Sequence, residues 1–128
     1  MSIKFTVQKK ANPTQPKAEE KYYAKAIADG ELPFENLLEI ISRKSNLHMA
    51  DCIKFMMLLE ETIHEELKDG KIVRLGDIGN FQIGISSKGV ATELKVTANT
   101  ITSAKVNFRV GKGFRTLLKE LDFKKVKM

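Results

Sequence analysis

Apolar and polar residues alternate along Ile3-Lys4-Phe5-Thr6-Val7-Gln8, the period of a half-buried strand. Lys9 to Glu20 follows as a polar loop, since Pro13 and Pro16 each push the preceding residue out of helical geometry. Lys21 to Ala28 fits either period and is read as a second strand pairing with the first, stopped by Asp29-Gly30. Pro33 then opens a helix whose apolar positions, Phe34, Leu37, Leu38 and Ile41, share one face; Arg43 to Asn46 close it. A second helix runs from about His48 to Lys68 on a stripe of Met49, Cys52, Ile53, Met56, Leu59, Ile63 and Leu67, and ends at Asp69-Gly70. Met57 and Leu58 widen its apolar surface beyond one stripe, so this helix needs two partners to cover it. A dimer interface would supply the second.

From Lys71 the period changes to two. Ile72, Val73 and Leu75, then Ile78, Phe81, Ile83 and Ile85, punctuated by Gly76, Gly79 and Gly84, predict a strand, a tight turn and a strand. Ser86 to Thr92 is turn-like, while Leu94-Lys95-Val96 and Ile101 to Phe108 return as strands. Gly111-Lys112-Gly113 precedes a short helix, Phe114 to Leu121, and a basic tail of Lys124, Lys125 and Lys127.

Size permits one domain, or one with an appendage, in 128 residues. No apolar stretch is long enough to cross a membrane, and the first residues lack the apolar region of a signal peptide. The single cysteine, Cys52, excludes an internal disulfide framework and suits a reducing cytoplasm. Charge changes the picture more. Residues 1–30 carry six lysines against three acids; residues 31–70 carry four basic and nine acidic groups; residues 71–128 carry twelve basic and four acidic groups. A basic half joined to an acidic half points to one face for a polyanion and another for water or a partner.

Two local patterns carry a resemblance. Leu75-Gly76-Asp77-Ile78-Gly79-Asn80-Phe81 is close to a glycine-aromatic-glycine-x-Phe turn, and Phe108-Arg109-Val110-Gly111-Lys112 is close to Phe-Lys-Pro-Gly-Lys. With helix, helix, hairpin, long excursion and final helix in that order, Pro33 to Leu121 resembles the HU/integration host factor family of bacterial histone-like proteins. Ile78 replaces the usual Phe, and Val110 the usual Pro. The opening residues (IKF, PK, KYYA) look like the longer HU-related proteins of Bacteroides-type bacteria, in which the extension is not what gives DNA binding. The expected organisation is an N-terminal β-rich extension over residues 1–32 and an HU-like domain over residues 33–128. The expected fold is α+β: an intertwined dimer with two N-terminal helices, a β-sheet saddle bearing a two-stranded arm, and a short C-terminal helix.

The resemblance implies that two arms rise from the saddle and wrap the minor groove. It would place Arg109, Lys112, Arg115 and Lys119 where they neutralise phosphates; taken alone they read as ordinary solvated cations. Gly111 and Gly113 are expected to leave backbone N–H groups open for a phosphate. Family arms are rich in Arg and carry a proline wedge, whereas Gly84 to Lys105 holds only Lys88, Lys95 and Lys105, with no Arg and no Pro. Lys88 and Lys95 remain to line the groove, and Val90 is the candidate apolar wedge. His48 reads as a helix cap with Asp51 in the first turn, and His64 as part of a solvated face, so no metal site or cofactor is expected. No nucleophile–base pair or phosphate loop of an enzyme is present, and no small-molecule substrate is expected.

The leading expectation is therefore a homodimer that binds double-stranded DNA with little sequence preference and organises the nucleoid in the cytoplasm. The rival is an HU-like protein-interaction or assembly module with weakened DNA affinity, motivated by the Arg-poor arm and by the extension, whose strand can pair with a sheet edge on its own domain or on a partner. RNA binding ranks below both, because no aromatic residue lies between Phe81 and Phe108 to stack on bases.

Overall fold

The computed structural model describes residues 1–10 and 20–126. The described residues form a helical hairpin and two three-stranded sheets. Strand β1 (Ile3–Lys10) pairs antiparallel with β2 (Lys21–Ile27), from Lys4 opposite Ile27 to Lys10 opposite Lys21. The bulk of the expected loop, residues 11–19, lies outside the described residues. The other edge of β1 is taken by the far end of the chain: β6 (Phe123–Lys125) runs parallel to it, with Ile3 beside Phe123. The expected basic tail is thus partly a strand, because β1 offers an unpaired edge that the segment's N–H and C=O groups can satisfy.

Helix α1 (Phe34–Ser45) starts after Pro33 and ends at Asn46, whose left-handed φ of 59° terminates it. Helix α2 (Met49–Lys68) follows, with His48 at its N-cap position and Asp51 in its first turn. At its exit Lys71 donates to Glu66 at 2.9 Å, and that hydrogen bond holds the ammonium pKa above its ordinary value. The second sheet then forms in the order β3 (Val73–Arg74), β4 (Gly79–Ser87), β5 (Ile101–Val110), all antiparallel. Residues 88–100 join β4 to β5. Leu94–Val96, expected as a strand, instead lies in and after a single 3-10 turn, Glu93–Lys95, and a second such turn covers Ala98–Thr100. Helix α3 (Lys112–Leu117) begins two residues earlier than expected and stops sooner.

The core of this single chain is small. Only Leu38, Cys52 and Leu67 are buried hydrophobic residues among those described. Cys52, Met56, Leu59, Ile63 and Leu67 of α2 turn inward at helical spacing, while Ile53 and Met57 on one side of that stripe and Phe55 and Leu58 on the other stay exposed among the described residues. The expected inner face of α1 is likewise open except at Leu38. The accessible surface is 11620 Å², against roughly 6,800 Å² for a folded monomer of this mass.

Candidate nucleic-acid interface

Alternation along β4 and β5 sorts the second sheet into two chemically distinct faces. Phe81 stands opposite Phe108 and Ile83 opposite Val106, which puts these four residues on one side. That side meets α2 across an apolar groove lined by Phe34, Met56, Leu59, Ile63, Leu75 and Phe81. On the opposite side Arg74 pairs with Asn80, Asn80 with Arg109, and Gln82 with Asn107. Ile72, Arg74, Asn80, Gln82, Asn107 and Arg109 line one shallow concavity there. Lys105, opposite Gly84, continues this face along the hairpin. A Cβ at Gly84 would stand 2.5 Å from the Asn107 side-chain nitrogen, so the missing side chain makes room for Asn107 on this surface.

This arrangement is a row of cations and amides backed by an apolar layer. Guanidinium groups give forked donors matched to phosphate, and Asn and Gln donate or accept beside them. Arg74, Asn80, Gln82 and Asn107 were not singled out in the sequence. The signal that finds them is the register: once Phe81 and Phe108 face each other, residues one step away on each strand must share the other side.

The sequence-selected cations fall into two groups. Arg109 lies near the end of β5, and only Val110 and Gly111 separate it from Lys112, which opens α3; Arg115 lies on α3, Lys119 just after it, and all four are exposed. Lys88 and Lys95 sit at the far end of the hairpin, about 30 Å away at the rise of a strand. Lys88 donates its backbone N–H to the Thr100 carbonyl, closing the loop there, and Lys95 lies in the 3-10 turn. Val90, the expected wedge, is half-buried, whereas Leu94 on the same loop is 94% exposed.

The expectation of free backbone donors at Gly111 and Gly113 is corrected. The Gly111 N–H donates to the Ile78 carbonyl at 2.9 Å and the Gly113 N–H to the Asp77 carbonyl at 3.2 Å. A Cβ at Gly111 would collide with the Asp77 carbonyl. The glycine is needed because the start of α3 packs directly on the β3–β4 turn, which spends those donors on the fold. Among the described residues no group of three or more His, Cys, Asp or Glu side chains could hold a metal ion, and no helix is long and apolar enough to cross a membrane.

Comparison with known proteins adds a family and a fold. The family HU-HIG, described as "HU domain fused to wHTH, Ig, or Glycine-rich motif", matches residues 1–125. No curated protein matches the sequence. Among solved structures, the chain is similar to a protein of Bacteroides vulgatus ATCC 8482 provisionally named a bacterial DNA-binding protein, with a TM-score of 0.68 and 19% identity. The match covers 98% of this chain and 50% of that one, so the chain spans about half the length of the structure it resembles.

Proposed function

The chain belongs to the HU-HIG family, and from that membership we propose that it binds double-stranded DNA as a homodimer, reading the shape of the duplex rather than its sequence. The observation that carries this reading is the polar face of the second sheet, where Arg74, Asn80 and Arg109 lie side by side across three strands. Together with Lys112, Arg115 and Lys119 these groups would neutralise phosphates, which supplies affinity without sequence information. The β4–β5 hairpin is the arm, with Lys105 along it and Lys88 and Lys95 at its tip. Its length of about 30 Å approaches one turn of B-DNA. Leu94, rather than Val90, is the apolar residue available to enter a base step and bend the minor groove.

The second copy follows from what one chain leaves uncovered. The surface that one chain exposes beyond that of a compact monomer is more than enough for an obligate interface, which buries from about 2,000 to over 5,000 Å² summed over both partners. The open faces of α1 and α2 and the groove beneath Phe81 are where a second chain would pack. In this reading the dimer is an architectural protein of the nucleoid, cytoplasmic, and without catalysis. A titration of duplexes of unrelated sequence against salt tests it. Expected are similar affinities throughout and a log–log salt slope of about −0.9 per phosphate contact. A flat salt response would leave the assembly-module reading, to which the Arg-poor hairpin also points.

A further inference from the structure

The first sheet also has two unlike faces. Ile3, Phe5 and Val7 of β1 share one face with Tyr22, Ala24 and Ala26 of β2 and Phe123 of β6; this face is mainly apolar, with Lys9 beside Tyr22 and Lys125 beside Phe5 the two cations on it. The other face carries Lys4 and Lys10 from β1, Lys21 and Lys25 from β2, and Lys124 from β6, with Thr6, Gln8 and Tyr23 between them and Ile27 beside Lys4 at one end. Lys10 stands directly opposite Lys21, and Lys4 directly beside Lys124. Like charges placed opposite each other on one sheet face are destabilising. Lys4 is relieved by Asp29 at 3.2 Å, whereas Lys10, Lys21, Lys25 and Lys124 have no acidic partner within ion-pair distance among the described residues.

We propose that this lysine face is a second nucleic-acid contact surface, separate from the β3–β4–β5 sheet, on which the phosphate backbone supplies the negative charge that the fold withholds. The inference rests on the DNA-binding reading and extends it to the segment that the family resemblance leaves out of binding. Nucleic acid fits better than an anionic membrane for a structural reason. A surface that enters the lipid interface presents apolar and cationic side chains together, but the lysine face holds a single aliphatic residue, Ile27 at its Lys4 end, and Ile3, Phe5, Val7 and Phe123 lie on the opposite face of the same strands. The residues between the lysines, Thr6, Gln8 and Tyr23, are hydrogen-bonding side chains of the kinds that contact phosphate and sugar. Tyr23 is 49% exposed and stands between Lys21 and Lys25 on that face.

The test uses the full chain with Lys10→Gln, Lys21→Gln and Lys25→Gln combined, beside an Arg109→Ala, Lys112→Ala variant, on a duplex of 40 base pairs and on phosphatidylserine vesicles. If the lysine face binds DNA, the triple variant loses about two to three from the magnitude of the salt slope per protomer, while its melting temperature stays level or rises. An unchanged slope in the triple variant, with the Arg109, Lys112 variant weakened, overturns this proposal and leaves the DNA-binding reading standing. Loss of vesicle binding instead of DNA binding overturns it in favour of a membrane surface. Absence of salt-dependent DNA binding in the unmodified chain overturns both.

Discussion

The Phe81 and Phe108 rings face each other across β4 and β5, with centroids 4.9 Å apart and planes inclined by 55°. This tilted pairing is favourable for two aromatic quadrupoles and adds roughly 0.5–1.5 kcal/mol beyond the area it buries. Its larger effect is on register. Slipping one strand by a single residue would carry its ring to the polar side and turn its polar neighbour, Asn80 on β4 or Arg109 on β5, inward. The aromatic pair and the cationic face are therefore two consequences of one alignment.

Gly79 is tied to the same alignment. Its φ is +153°, and a Cβ there would strike the Arg109 carbonyl and the Phe108 ring. Gly79→Ala is expected to cost about 2–4 kcal/mol, combining an unfavourable backbone region with overpacking. Denaturant unfolding checks this, and a variant as stable as the unmodified chain would show that the close approach of β4 and β5 is dispensable.

Arg74 is expected to matter for DNA as much as Arg109, although neither motif contains it. Arg74→Ala should lower the salt slope by about 0.9 per protomer and weaken binding evenly across sequences. Arg43→Ala, on α1 away from this face, should leave both quantities unchanged. Fluorescence anisotropy at several salt concentrations distinguishes the two.

Met57 and Leu58 flank the inward stripe of α2, with Met57 65% exposed in the single chain. Burying a carboxylate there without a partner is prohibitive, so Met57→Glu is expected to abolish the dimer or the fold. The unmodified chain should sediment as two copies and melt at a temperature that rises with protein concentration. A monomer with a concentration-independent transition would contradict this.

Leu94 and Val90 make opposite predictions at the hairpin tip. Leu94→Ser should reduce DNA bending in a distance-based fluorescence assay, with affinity for straight duplex changed less than threefold on the order of a rim contact. Val90→Ser should disturb the loop instead, because Val90 is half-buried there.

Much of the architecture was legible in the residues. Period 3.6 located α1 and α2 almost to the residue, and period two with two glycine-bearing motifs located β3, β4 and β5. The failures have separate causes. Leu94-Lys95-Val96 alternates like a strand, but a segment becomes a strand only when a neighbour offers an edge, and here the chain coils into a 3-10 turn instead. The C-terminal lysines read only as a basic tail because their partner, β1, lies at the opposite end of the sequence. Glycines at 111 and 113 suggested free donors, since composition says nothing about which carbonyl sits nearby.

Taken alone, the sequence determined where the two long helices and the strands with regular alternation lie, where the basic charge concentrates and that α2 has more apolar surface than one partner can cover, because these depend on local period and count. Only the tertiary structure decided which cations share a face. Arg74, Asn80 and Arg109 come from three strands and meet through hydrogen-bond register, as Lys10 and Lys21 meet on the first sheet. Register is a property of pairs of strands, so no single segment contains it.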